Sequence, residues 1–289
     1  MIKLSPPLIK CPDILAACLS SVSNTREGTE YINKFNLIKN KINAEWQLFD
    51  DRADTIDLHL FNYSRHAHKE QLVIDDVSKD DFVKLYTEYM VKGDTLPRSI
   101  YNTIRASSNN ICPLCGISIV TTIDHYLPKA RYPIFSIYTN NLVPACDTCN
   151  KGKGSSTYTS KESQPLHPYF SAPHFYATDW IKANVLKTSP LSFDFYADPP
   201  DHWDANDKAR VINHFSDFNL AAKYSVNASQ FLTLINNNMI QIILDSGGDS
   251  NAVKDVLVSS AAREKPNTTL RIILYAMADD DEICNGLYL

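Results

Sequence analysis

A chain of 289 residues, 44% apolar and 21% charged, can bury a core of its own and is neither a disordered nor a fibrous sequence. No run approaches the roughly 20 apolar residues of a membrane span, and the proline-bearing N-terminus, with only the short apolar run Ile14 to Leu19, is a poor secretory leader, so a cytoplasmic location is expected. The net charge of -5 discourages general adhesion to nucleic acid, and seven cysteines, an odd count without a dense framework, point to metal in a reducing compartment instead of disulfides.

Residues 1 to about 110 read as helical. Tyr31 to Phe49 is amphipathic, and the acidic patch Asp50, Asp51, Asp54 and Asp57 after it reads as a solvated face. Ser78 with Asp81 three residues on has the spacing of a capping box. Phe82, Leu85, Tyr86, Tyr89 and Met90 then repeat with helical period until Gly93 stops the element. A second helix starts near Pro97 and carries Ile100, Tyr101 and Ile104.

The character then changes. Ile117, Ile119, Thr121 and Ile123 alternate as a strand ending at Asp124-His125. A proline-bearing loop, the short apolar Leu142-Val143 and a helix from near Asp147 follow, giving the order strand, loop, strand, helix. Beyond a Ser/Thr-rich loop, Ser155 to Ser163, lies Leu166-His167-Pro168-Tyr169. Strands are expected at Trp180 to Leu186 and Leu191 to Tyr196. From about Asp204 the chain returns to helix, with its longest apolar-periodic run at Leu220 to Leu244 and a last one at Asn267 to Ala278. The expected class is α+β, a mainly helical scaffold with a small central insert. Three parts follow: a helical region 1–110, a core 111–170, and a C-terminal region 171–289 of two short strands and helices that serves as scaffold or partner-binding surface.

Two Cys-x-x-Cys pairs, Cys112/Cys115 and Cys146/Cys149, flank that insert with 30 residues between them. Four thiolates are the complement of one tetrahedral structural zinc, which would staple a segment too small to build its own core. Cys11, Cys18 and Cys284 are scattered and read as free buried thiols. From Ile111 to Lys161 five basic residues meet two acids, a net of +3 that leaves -8 for the rest. The insert is the basic part of an acidic chain. Asp124-His125 at a strand end could converge on one phosphate, a carboxylate for a hard cation and an imidazole to take a proton from water.

Asp124-His125, then Asn141-Leu142, then Cys146-Asp147-Thr148-Cys149-Asn150-Lys151-Gly152-Lys153 resembles the HNH, or ββα-metal, nuclease family in its zinc-containing form. The resemblance covers about 45 of the 289 residues. It implies a zinc-stapled ββα-metal insert with a structural Zn2+ on the four cysteines and His125 as general base. Asp124 and Asn150 would hold one catalytic Mg2+ or Mn2+, and Asn141 would hold the loop and orient the histidine. Lys153 would meet a phosphate. Asp and Asn at the first and last motif positions are both oxygen donors, which suit a hard cation. Lys129 and Arg131, after the histidine, are candidate phosphate neighbours, with a solvated loop as the plainer reading. His167 in its His-Pro-Tyr step is similar to HNH proteins of Septu-type bacterial phage-defence systems, whose nuclease subunits work with an ATPase partner. It is read as a further metal or phosphate contact or, equally, as a packed histidine.

The leading expectation is therefore a metal-dependent DNA endonuclease, the effector of an anti-phage defence system, acting with an ATPase subunit. A zinc-stabilised protein-binding module with an inactive nuclease site, favoured by the acidic remainder and helical flanks, is the alternative, as is an RNA-cleaving HNH enzyme. No separate basic DNA-reading module is recognisable.

Overall fold

The computed structural model describes residues 1–8 and 11–288, without the side chains of Cys11 and Pro12. After α1 (Cys11–Ser20) comes α2 (Arg26–Asp54), which buries Phe35, Ile38, Ile42, Trp46, Phe49 and Ala53 along one face. This helix is longer than the predicted Tyr31 to Phe49. Thr25 starts it early, its side chain accepting from Gly28 N at 3.1 Å, and the acidic tail stays helical to Asp54. That tail is not a uniformly solvated face: Asp50 accepts hydrogen bonds from the Tyr138 hydroxyl (2.6 Å) and the Asn140 amide (2.8 Å).

A small hairpin, β1 (Leu72–Ile74) and β2 (Val77–Ser78), leads into α3 (Lys79–Lys84). Both halves of the capping box form: Asp81 N donates to Ser78 Oγ, and Ser78 N donates to Asp81 Oδ2. The helical course continues through a wider π turn, Leu85–Met90, and ends at Gly93, whose φ of +78° suits a residue without a Cβ. Ser78→Ala should cost about 1 kcal/mol. A urea midpoint that falls at unchanged m would register it. α4 (Leu96–Ala106) follows, with Pro97 in its first turn.

The next segment has the order strand, loop, strand, helix. β3 (Thr122–His125) pairs antiparallel with β4 (Leu142–Ala145), with Asp124 opposite Val143 and His125 opposite Leu142, and α5 (Asp147–Lys153) follows. The strand is shorter than the alternating run predicts. Ile117 to Thr121 are the return arm of the first cysteine turn, where Cys112 N donates to Ser118 O and Ile111 bridges Ile119, leaving Ile119 exposed. The turn itself needs Gly116, at φ +73°.

The remainder holds α6 (His174–Ala177), the antiparallel hairpin β5 (Ile181–Leu186) and β6 (Ser192–Ala197), α7 (Ala205–Asp217), α8 (Leu220–Ile235), α9 (Ile242–Asp245), α10 (Ser250–Arg263), α11 (Thr269–Ala278) and α12 (Asp281–Cys284). Asn267 ties these together: its Oδ1 accepts from Trp180 N and Ile181 N, and its carbonyl accepts from the Tyr224 hydroxyl. By contacts the chain divides into two compact units. One is Ile2–Leu114 with Ser118–Ser171, and the other is Ala172–Leu289 with Met1 and Cys115–Ile117. The segments 1–110 and 111–170 thus fall largely within the first. Cys18 and Cys284 are buried thiols, and the Cys11 side chain lies outside the described residues. No helix among the described residues is long and apolar enough to cross a membrane.

Candidate functional site

Cys112, Cys115, Cys146 and Cys149 are all buried, and their Sγ atoms lie within 4.8 Å of one another. A tetrahedral Zn–S distance near 2.3 Å sets the sulfurs ~3.8 Å apart, so the cluster fits a single zinc with modest contraction. The donor set is all sulfur and closed to solvent. It could bind zinc, in a structural role.

Asp124 and His125 end β3 and are each about 5% exposed. His125 Nε2 stands 2.8 Å from Ser136 O. A carbonyl only accepts, so Nε2 carries the proton and Nδ1 keeps the lone pair. Burial first, then the Lys129 and Lys153 charges, hold the imidazole well below the ordinary histidine range against the opposing Ser136 hydrogen bond. His125 is thus a neutral ring whose Nδ1 keeps an available lone pair of lowered basicity. Burial pushes the Asp124 carboxyl up, opposed by the charges of Lys153 and Lys129.

Two residues set the orientation of this pair that the sequence reading passes over. Tyr86, on the π turn after α3, places its ring edge-on to His125 with centroids 4.4 Å apart. Ser136 supplies the carbonyl and is itself fixed, its hydroxyl donating to Phe82 O at 2.6 Å. Tyr86 is visible in the sequence only as one member of an apolar helix face. Nothing local says that this face meets a histidine.

Asn141 does hold the loop after β3. Its Oδ1 accepts from Leu127 N at 2.7 Å, and its Nδ2 donates to Leu127 O and Phe135 O. The loop rests on α2, where Trp46 Nε1 donates to Ile134 O and Phe49 packs edge-on to Phe135 and Tyr138. Asn150 is half-buried in α5.

Lys153 stands elsewhere than a phosphate contact would. It is 6% exposed, with Nζ 2.7 Å from Asp124 Oδ2, 3.0 Å from Tyr126 O and also bonded to His125 O. A three-donor ammonium is thereby spent on pinning α5 to the end of β3, because burying it next to a buried carboxylate offsets the desolvation of both. His167 likewise lies inside: it is 3% exposed, among the rings of Tyr126, Tyr169 and Phe170, and its Nδ1 accepts from Tyr169 N. That is the packed histidine of the two readings. Lys129 and Arg131 remain partly exposed; the Lys129 ammonium lies 5.1 Å from the Tyr86 ring centroid and the Arg131 guanidinium 4.5 Å from that of Tyr63.

For a hard divalent ion the donors are right in kind. A carboxylate has about four lone-pair sites, so Lys153 on Oδ2 leaves Asp124 acceptor capacity.

No family model matches the chain, and no solved structure matches it. Two curated proteins are similar. Protein ea31 of Escherichia phage lambda is 29% identical over 302 aligned residues, covering 99% of this chain and 100% of that protein. Septu protein PtuB of Bacillus thuringiensis is 30% identical over 97 residues, 31% of this chain and 37% of PtuB. The chain is therefore similar to a phage protein along its length and to a Septu protein over about a third of it.

Proposed function

We propose that the chain is an HNH endonuclease that hydrolyses phosphodiester bonds of DNA and acts as an effector of anti-phage defence with a protein partner, an ATPase subunit. The observation that carries the reading is the His125 geometry. A buried neutral imidazole at the end of β3 has Nε2 committed to a fixed carbonyl and Nδ1 left as a base, beside a carboxylate and within a segment held by four cysteines. The partial likeness to a Septu protein supports the defence setting.

In this reading His125 Nδ1 takes a proton from water as the resulting hydroxide attacks phosphorus and the bond to the 3′ oxygen breaks. Asn141 keeps the loop, and so the Ser136 carbonyl, in place. Asp124 and Asn150 would hold Mg2+ or Mn2+, which when bound supplies positive charge against the leaving oxygen. Lys153 holds Asp124 in position instead of touching substrate. Lys129 and Arg131 face the phosphates.

One observation favours the zinc-stabilised binding module with an inactive site: both members of the pair are buried, and Lys153 already sits on Asp124. Phage plating on cells carrying the chain with its neighbouring genes separates the two. A nuclease should lose protection with His125→Ala and with Cys146→Ser, whereas a binding module should lose it with Cys146→Ser alone. Protection that survives both substitutions is incompatible with either reading.

A further inference from the structure

We propose that the surface formed by residues 63–71 together with Lys129 and Arg131 is a binding track for the phosphodiester backbone, leading from His125 across the first compact unit. The inference rests on the nuclease reading and adds to it a substrate surface that is not continuous in the sequence.

The track is built by tertiary contacts. Ser64 N donates to Arg131 O at 2.7 Å, which lays the 63–71 loop beside the loop that follows His125. The loop is closed on itself: Arg65 N donates to Gln71 Oε1 at 2.8 Å, and the buried Lys79 sends its ammonium to Arg65 O at 2.8 Å. Asp80 N donates to Lys69 O at 3.0 Å. These bonds use backbone carbonyls and amides, so the Arg65, His66, His68 and Lys69 side chains point outward and are exposed. A concavity of about 620 Å³ opens among Arg65, Ala67, His68, Lys69, Glu70 and Gln71.

Three features distinguish this surface from ordinary solvated charge. First, Lys34, Lys41, Lys84 and Lys151, exposed lysines of the same unit, and the half-buried Lys161 are engaged by carboxylates. The exposed Arg105, like the track cations, enters no ion pair among the described residues, but it belongs to α4 and not to these loops. Arg65, Lys69, Lys129 and Arg131 enter no ion pair among the described residues, and Glu70 is the one acid within the loop. Second, an aromatic is interleaved: Tyr63 is 55% exposed and carries the Arg131 guanidinium on its ring, with Tyr132 behind it at 6.4 Å. Exposed rings beside planar cations suit sugar and base faces as well as phosphate. Third, the line is continuous with the site. His125 touches Tyr86, Tyr86 carries Lys129, and Arg131 lies two residues on. In an acidic chain, unpaired cations gathered at one edge of the candidate catalytic pair localise binding there and suppress it elsewhere.

The test is fluorescence anisotropy of the zinc-loaded full chain on one labelled sequence, as duplex DNA and as single-stranded RNA. The His125→Ala background prevents cutting. Arg65→Glu/Lys69→Glu should weaken binding at least tenfold near 0.1 M salt, with the slope of log K against log salt shallower by about 1 per cation removed. Arg65→Gln/Lys69→Gln should move the same way by less, and covers the case in which charge reversal disturbs the loop. Lys254→Glu/Lys265→Glu, the same charge change in the other unit, should bind as the parent does. Loss confined to the track variants on either polymer supports the track. Equal binding by all of them overturns it and leaves the nuclease reading standing. A parent that binds neither polymer also overturns the track, and the nuclease reading is then decided by plasmid cleavage in the presence of the protein that copurifies.

Discussion

Cys112→Ser protein, purified alongside the parent, should carry far less than the one zinc per chain expected of the parent and should lose the fold of the segment around it. The reason is size. β3 and β4 have four residues each and α5 has seven, so the segment has little apolar surface to bury by itself. Structural zinc in small peptides contributes about 10–16 kcal/mol at neutral pH, more than enough to decide whether such a segment folds. Serine does not deprotonate to replace the thiolate. Zinc by atomic emission, with limited proteolysis between residues 111 and 154, reads both consequences together. A well-folded parent without bound metal would contradict the assignment.

The second large effect concerns Lys153. Lys153→Met keeps the length of the side chain and removes the ammonium, leaving Asp124 buried with its Oδ2 partner gone. Breaking a buried pair from one side typically costs 3–5 kcal/mol, because the remaining charge stays desolvated. Urea unfolding should register a loss on that order. Asp124→Asn/Lys153→Met, which removes both charges, should recover the part due to the stranded carboxylate but not the two bonds from Nζ to His125 O and Tyr126 O. A single-variant loss below about 1 kcal/mol would mean that the ammonium does not hold Asp124 as the geometry implies.

What the sequence makes legible here is short-range. The Ser78–Asp81 box is a contact across one helical turn, and it forms as the spacing predicts. Cys-x-x-Cys pairs signal a chelating turn within four residues, and only their mutual approach needed the structure. The strands β5 and β6 and the helical runs at Leu220 to Leu244 and Asn267 to Ala278 follow from local pattern. Apart from the early Thr25 start of α2, the failures are at longer range. Alternation from Ile117 to Ile123 looks like one strand, but the first half is bent back by the cysteine turn and pairs with Ile111. Asp50 looks solvated because its partners, Tyr138 and Asn140, lie far along the chain. Lys153 looks like a phosphate ligand because a motif gives position and not direction, and in the fold its ammonium points inward. Arg65 and Lys69 carry no motif at all, and only the Ser64–Arg131 hydrogen bond brings them beside the loop that follows His125.

Phosphodiester cleavage that depends on His125 is the central claim, and plasmid DNA tests it most directly. Supercoiled plasmid is incubated with the zinc-loaded chain and Mg2+ or Mn2+, alone and with whatever protein copurifies with it, beside the His125→Ala variant at equal zinc content. Nicked or linear product is expected from the parent in at least one of these conditions and none from the variant. Product formed equally by both, or by neither in any condition, would contradict it.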